Sequence, residues 1–174
     1  VTYHPVTLSD HDTISETRAL LTALESYPNS TVVFTLPNAD PDHSLIVHEL
    51  ERAVSDRPEW HLFSSLGNRL YLSLMAVSGA VVGNSSSGLT EAPSLGVPTV
   101  DIGPRQGGRL RASSVVSCEP ETADIRRAIG TALTTEFLGA CQGTLSPYGS
   151  PGAADRMLSV LEGTQFDNLK KKYY

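Results

Sequence analysis

Cysteine is scarce in this chain, and its placement excludes two structural solutions. Cys118 and Cys141 are the only two among 174 residues. They lie in different segments without C-x-x-C spacing, so neither a disulfide framework nor a cysteine-held metal site is expected from them. A reduced protein of the cytoplasm fits that usage. Long apolar runs are missing too: none reaches the roughly 18 residues that a membrane-spanning helix needs, and no basic-then-apolar leader opens the sequence. Positive charge is in deficit, with 13 Lys and Arg against 19 Asp and Glu, a formal net charge of -6. That balance argues against nucleic acid as a partner unless basic residues gather locally, and they gather once, in RQGGRLR (105–111). Two nucleotide fingerprints are absent: there is no G-x-G-x-x-G and no G-x-x-x-x-G-K-[ST]. GNSSSG (83–88) misses the G-x-S-x-G elbow by one residue, and Pro93 follows too closely for a serine-hydrolase nucleophile. No internal repeat is visible.

What is present is the composition of an ordinary folded domain, 40% hydrophobic and 18% charged, which leaves little support for disorder. The length fits a single domain over 1–174 with one core. Only NLKKKYY (168–174) reads as a loose tail. The chain opens with Val1 inside a strand-like run, which predicts a piece of a longer protein.

Strand-like and helix-like segments alternate. VTYH (1–4) is β-rich. DTISETRALLTALESY (12–27) carries Ile14, Leu20, Leu21 and Leu24 on one helical face, with Thr13 and Glu16 at capping-box spacing. TVVFTLP (31–37) is a second strand, after which Asp40 and Pro41 offer an N-cap and a first-turn proline to a helix bearing Ile46, Val47, Leu50 and Val54. WHLFSSL (60–66) is a weaker strand, and NRLYLSLMAVSG (68–79) a helix apolar on most sides, expected to be well buried. AVVGN (80–84) and VPTVDIG (97–103) are strands flanking a short NSSSG helix. SSVVSC (113–118) is the last strand, before a helix in ETADIRRAIGTALT (121–134) with Ile125, Ala128, Ile129 and Ala132 at helical spacing. Strands apolar on both faces that alternate with helices predict an α/β fold, a doubly wound, Rossmann-like parallel sheet of about six strands.

Ligands of such sheets bind outside the carboxyl ends of the strands, where the strand order reverses. Each predicted strand end carries a distinctive group: His4-Pro5, Pro37-Asn38, Gly83 to Gly88, and Gly103-Pro104-Arg105-Gln106. Two readings of the serine run stand open. Backbone N–H groups at a helix start, joined by the hydroxyls of Ser85, Ser86 and Ser87 and by Gly88, can hold a phosphate or diphosphate; or Ser86 is simply an N-cap in a solvated turn. Glu91, one turn on, can accept hydrogen bonds from a ribose diol, or it merely complements the helix dipole. Arg105, Arg109 and Arg111 can close over negative charge or form a solvated loop. His4 alone among the five histidines falls at a strand end, where an imidazole can donate to phosphate or move a proton. His11, His43, His48 and His61 fall on loops or helices.

VTYHPVT, LPNAD, VVGNSSSGLTEAPSLGVPTVDIGPRQGGR and SPYG (146–149) occur in an order and spacing that resembles the C-terminal domain of hydrolysing UDP-N-acetylglucosamine 2-epimerases of the sialic-acid-pathway type. The resemblance covers nearly the whole chain. It implies the second half of a GT-B-type two-domain enzyme whose N-terminal domain, with the main catalytic carboxylates, is absent from these residues. The implied reaction eliminates UDP and hydrates the glycal-like intermediate with inversion at C2, giving N-acetylmannosamine and UDP without a metal or redox cofactor. The resemblance gives His4 a catalytic part beside the diphosphate. It makes Asn38, Ser85, Ser86, Ser87, Gly88, Glu91, Arg105 and Arg109 the UDP contacts, and it implies a homo-oligomer for the full-length enzyme. Pro104 and Gly107 depart from the pattern, which has an acidic or small polar residue and a bulkier one at those places. A GT-B glycosyltransferase half and a non-catalytic module that senses sugar nucleotides are the competing readings.

Overall fold

The computed structural model describes residues 1–6 and 12–164, so His11 and the NLKKKYY tail lie outside the described residues. Five parallel strands form: β1 Val32–Thr35, β2 Trp60–Phe63, β3 Val81–Gly83, β4 Thr99–Ile102 and β5 Val115–Cys118. β1 pairs with β2, Val32 opposite Trp60, while β3, β4 and β5 form a second set in which Val81 faces Thr99 and Thr99 faces Val115. Thr2 joins the two sets through parallel bridges to Thr35 and Gly83. The spatial order is therefore β2, β1, residues 1–4, β3, β4, β5. Counted along the chain, this is 3-2-1-4-5-6, the doubly wound order, with its reversal between residues 1–4 and β3.

The first predicted strand is shorter than expected, because it amounts to the Thr2 bridges alone. His4 ends the ladder: its backbone N–H and C=O are both taken by the Asn84 side chain, and Pro5 has no N–H to offer. Gly83 lets the two segments approach. At φ 137° it occupies a backbone conformation that side chains rarely adopt, and a Cβ there would lie 2.0 Å from the Thr2 carbonyl oxygen.

The helices are α1 Thr13–Glu25, α2 His43–Ser55, α3 Gly67–Val77, α4 Ser87–Thr90, α5 Thr122–Ala132, α6 Thr135–Cys141 and α7 Ala153–Gly163, with 3-10 turns at Ala92–Leu95 and Pro104–Gln106. α1 packs between α2 and α5, and the core beneath them holds Leu20, Phe34, Ile46, Val100, Ile102 and Ile125. Phe34 meets Trp60 with ring centroids 5.4 Å apart. β4 is buried along its whole length, whereas β2 and β5, at the edges, are partly open. That gradient is what a sheet covered by crossover helices produces.

Three local expectations are corrected. α1 is capped by Asp12, whose Oδ1 accepts from the N–H groups of Ile14 and Ser15 at 3.0 and 3.3 Å. Glu16 does not close a capping box with Thr13; it turns inward and accepts from the Tyr3 hydroxyl at 2.8 Å. α2 starts beyond Asp40-Pro41, after Asp42 in the left-handed region, with no side-chain cap. α3 is not well buried, for only Met75 is enclosed and Leu70 and Val77 are 56% and 80% exposed. Its apolar residues outnumber what its neighbours can cover, since Met75 packs into a small separate cluster with Ala92 and Val97. α6 and α7 follow the last predicted helix, and α7 buries none of its residues.

Candidate functional site

Four loops meet at the carboxyl end of the crevice between residues 1–4 and β3. The knot is Asn84, wholly buried at the end of β3. Its Oδ1 accepts from the His4 N–H at 2.7 Å and its Nδ2 donates to the His4 carbonyl at 2.8 Å. The Asn84 carbonyl in turn accepts from Gln106 Nε2 at 2.7 Å and from an Arg105 guanidinium nitrogen at 3.2 Å.

His4 is buried, and its Nδ1 accepts from the Asn38 N–H at 3.1 Å. This assigns the imidazole proton to Nε2 in the neutral ring, because a nitrogen that accepts carries none. Burial, and then the Arg105 guanidinium nearby, push the His4 pKa down to about 4, with Asp40 pulling weakly the other way. The ring is therefore neutral at pH 7 with a single N–H, for which the described residues supply no acceptor. Asp40 lies 3.8 Å from Arg105, so the loop after β1 also reaches the turn after β4.

The serine run forms the start of α4. Ser86 stands at the N-cap position of α4, its carbonyl accepting from the Leu89 and Thr90 N–H groups, but with helical dihedral angles and no capping hydrogen bond from its side chain. Tyr71 of α3 shares a 2.6 Å hydrogen bond with Ser87 Oγ, which donates to Ser85 Oγ at 3.1 Å. Gly88 is packed so closely that a Cβ would lie 2.6 Å from Thr99 Cγ2, and the Thr99 hydroxyl donates to its carbonyl. The N–H groups of Ser85 and Ser86 find no acceptor among the described residues. The resulting turn is braced from below and polar on its outer side.

Of the residues expected at the rim, His4, Asn38, Ser85, Ser86 and Arg105 are gathered there, whereas Ser87, bonded to Tyr71, and Gly88, buried against Thr99 with its N–H on the Ser85 carbonyl, are turned inward. Glu91 sits half-buried where α4 gives way to the 3-10 turn. Arg109 is exposed and, among the described residues, engaged through its backbone, donating to Gln106 O and accepting from Arg111. Arg111 is committed elsewhere than to an open anion site: it donates to the buried carboxylate of Asp101 at 2.8 and 3.1 Å. Burial raises the Asp101 pKa against the pull of that guanidinium.

Sequence reasoning placed Asn84 and Gln106 at strand ends without giving either a role, and it missed Tyr71 and the pairing of Arg111 with Asp101. Asn84 lay in view inside GNSSSG, but a polar residue after a strand reads as turn chemistry. The other contacts join separate elements, which no local pattern reports. Among the described residues no group of three His, Cys, Asp or Glu could hold a metal ion, and no helix is long and apolar enough to cross a membrane. A cavity of about 380 Å³ lies instead beneath α3, toward the amino ends of β1 and β3. Its lining, including Val33, Leu74, Val81 and Leu133, carries no charged side chain. The lining also includes the hydroxyls of Thr2, Thr35, Tyr71 and Ser78, but none of the residues expected at the rim.

The sequence profile described as UDP-N-acetylglucosamine 2-epimerase matches residues 1–162. The chain is 38% identical over 126 residues to GDP/UDP-N,N'-diacetylbacillosamine 2-epimerase (hydrolyzing) of Campylobacter jejuni, covering 71% of this chain and 33% of that one. It is 31% identical to the polysialic acid biosynthesis protein P7 of Escherichia coli over all of this chain and 44% of the relative. The crystal structure of UDP-GlcNAc 2-epimerase from Neisseria meningitidis bound to UDP-GlcNAc superposes with a TM-score of 0.68 at 19% identity, over 94% of this chain and 43% of that one. A putative UDP-N-acetylglucosamine 2-epimerase from Listeria monocytogenes gives 0.74 at 17% identity, over 92% of this chain and 43% of that one. The chain thus spans a third to under half of the relatives it matches, and at such identities the superpositions establish the fold they share.

Proposed function

Because this chain belongs to the UDP-N-acetylglucosamine 2-epimerase family, we propose that it is the UDP-binding, Rossmann-like half of a hydrolysing 2-epimerase acting on a UDP-linked 2-acetamido sugar. The observation that carries this reading is the convergence of His4, the loop after β1, the serine turn and Arg105 at the strand-order reversal, where doubly wound sheets take their ligands. A diphosphate set there accepts from the unpaired N–H groups of Ser85 and Ser86 and from the Ser86 hydroxyl. Arg105, already beside the Asn84 carbonyl, supplies positive charge. Glu91 accepts from the ribose diol, Asn38 borders the nucleotide, and Arg109 closes the exposed side.

His4 plays its part as a neutral donor. Its Nε2–H is directed by elimination, since Nδ1 is occupied by Asn38, and a hydrogen bond from it to the bridging side of the diphosphate stabilises the charge that grows as UDP leaves. Placing a donor where charge develops, inside a partly dry site, is worth several kcal/mol in comparable cases, about 3 for a single donor. The groups that act on the sugar belong to the remainder of the longer protein, which acts as a homo-oligomer. The reaction is tested on that full-length protein with UDP-N-acetylglucosamine, without an acceptor and in deuterated water. Release of UDP with a mannose-configured product deuterated at C2 is the expected result. Sugar transfer that requires an added acceptor, or binding with no turnover, overturns it in favour of a glycosyltransferase or of a sensing module.

A further inference from the structure

We infer that Asn84 is the positioning residue of the rim, setting the His4 imidazole and the serine turn at a fixed distance and bearing from one another. This deepens the nucleotide reading and rests on it for the ligand. The argument begins with what the side chain does. An amide that donates to and accepts from the backbone of one distant residue stands in for a strand partner. Asn84 does this for His4 at 2.7 and 2.8 Å, 80 residues away in sequence. The same residue's backbone is held on both sides: its N–H donates to the Thr2 carbonyl at 3.2 Å, and its carbonyl accepts from Gln106 and Arg105. Ser85, the first residue of the turn, follows directly.

Neither aspartate nor alanine repeats this arrangement. Aspartate offers no donor to the His4 carbonyl and would set a carboxylate against it. Alanine leaves the N–H and C=O of His4 buried without partners. With both backbone groups fixed, the His4 Cα is held where the ring's Nδ1 can meet the Asn38 N–H, which leaves Nε2 free to donate. The charged groups beside the ring are Arg105 and Asp40, and Arg105 is anchored on the Asn84 carbonyl itself. Asn84 therefore sets the place of the imidazole and anchors its charged neighbour, and the Asn38 N–H then selects the tautomer.

The test uses the full chain labelled with 15N-histidine, with His4→Gln to identify the His4 signals. The native protein is expected to show Nδ1 unprotonated and Nε2 protonated, with a titration midpoint well below the ordinary ~6.5. In Asn84→Ala and Asn84→Asp, the ring should sample both tautomers and the midpoint should rise by at least one pH unit. UDP affinity should fall about tenfold or more, while the remaining amide spectrum stays native-like. Folded variants with the native tautomer, midpoint and affinity overturn the inference. If neither folds, Gln106→Leu decides: releasing one donor from the Asn84 carbonyl should shift the same signals in the same directions, and unchanged signals overturn it. Absence of UDP binding to the native chain contradicts the nucleotide reading alone, because the histidine signals still report whether Asn84 orients the ring.

Discussion

His4 is neutral because it is buried beside a guanidinium, and this state makes stability depend on pH. The folded pKa, pushed down to about 4, lies below the unfolded value of ~6.5. Between the two, the unfolded chain binds the proton that the folded one refuses, so stability rises with pH across that window. The contribution is fully present above about pH 6.5 and is lost as the pH falls toward 4, by at most about 3 kcal/mol. Chemical denaturation at pH 7.0, 5.5 and 4.5 should show this loss in the native chain. His4→Gln should flatten the curve over the same window, and an equal slope in both proteins would assign the loss to other groups. Asp101 poses the opposite problem, a carboxylate 2% exposed whose charge is tolerated through Arg111. Removing one partner strands the other, so Arg111→Met should cost about 3–5 kcal/mol by denaturant unfolding. Asp101→Asn with Arg111→Met together should recover part of that loss.

At the level of elements, the assignment of the α1 cap is open to a direct comparison. Asp12→Ala should lower stability by about 1 kcal/mol, the usual worth of an N-cap, whereas Thr13→Ala should cost less than half as much through the cap. Thermal melts of the two variants decide between them. The same helix shows what the sequence could and could not convey. The 3.6-residue spacing of Leu20, Leu21 and Leu24 located it, because periodicity is a local property. The choice of cap was not local: Glu16 was drawn inward by Tyr3, 13 positions back. α3 was misjudged for a related reason. A helix apolar all round reads as buried, but burial depends on neighbours, and its neighbours enclose only Met75 and cover Tyr71, Leu72 and Leu74 in part. The strand order was legible as a fold class, yet the reversal point became a place only when Thr2 was found between Thr35 and Gly83. The rim residues were legible one at a time, as strand-end polar groups. Asn84, which ties them together, was not, since its two hydrogen bonds span the sequence gap between the first and fourth strand positions.

Across the whole molecule, each observation that bears on function sits at one end of the sheet, while the charge-free cavity beneath α3 lies toward the other. The polarity of a parallel sheet explains the division: carboxyl ends gather loops and helix starts, amino ends gather helix finishes. The central claim is that this rim takes a nucleoside diphosphate. Calorimetric titration of UDP into the chain, with GDP in parallel and with His4→Ala and Ser86→Ala as comparisons, tests it most directly. Saturable UDP binding, weakened by both substitutions, is the predicted result, and the GDP titration reports the choice of base. A folded chain that binds neither nucleotide, or that binds UDP equally well without the His4 imidazole and the Ser86 hydroxyl, would contradict the account.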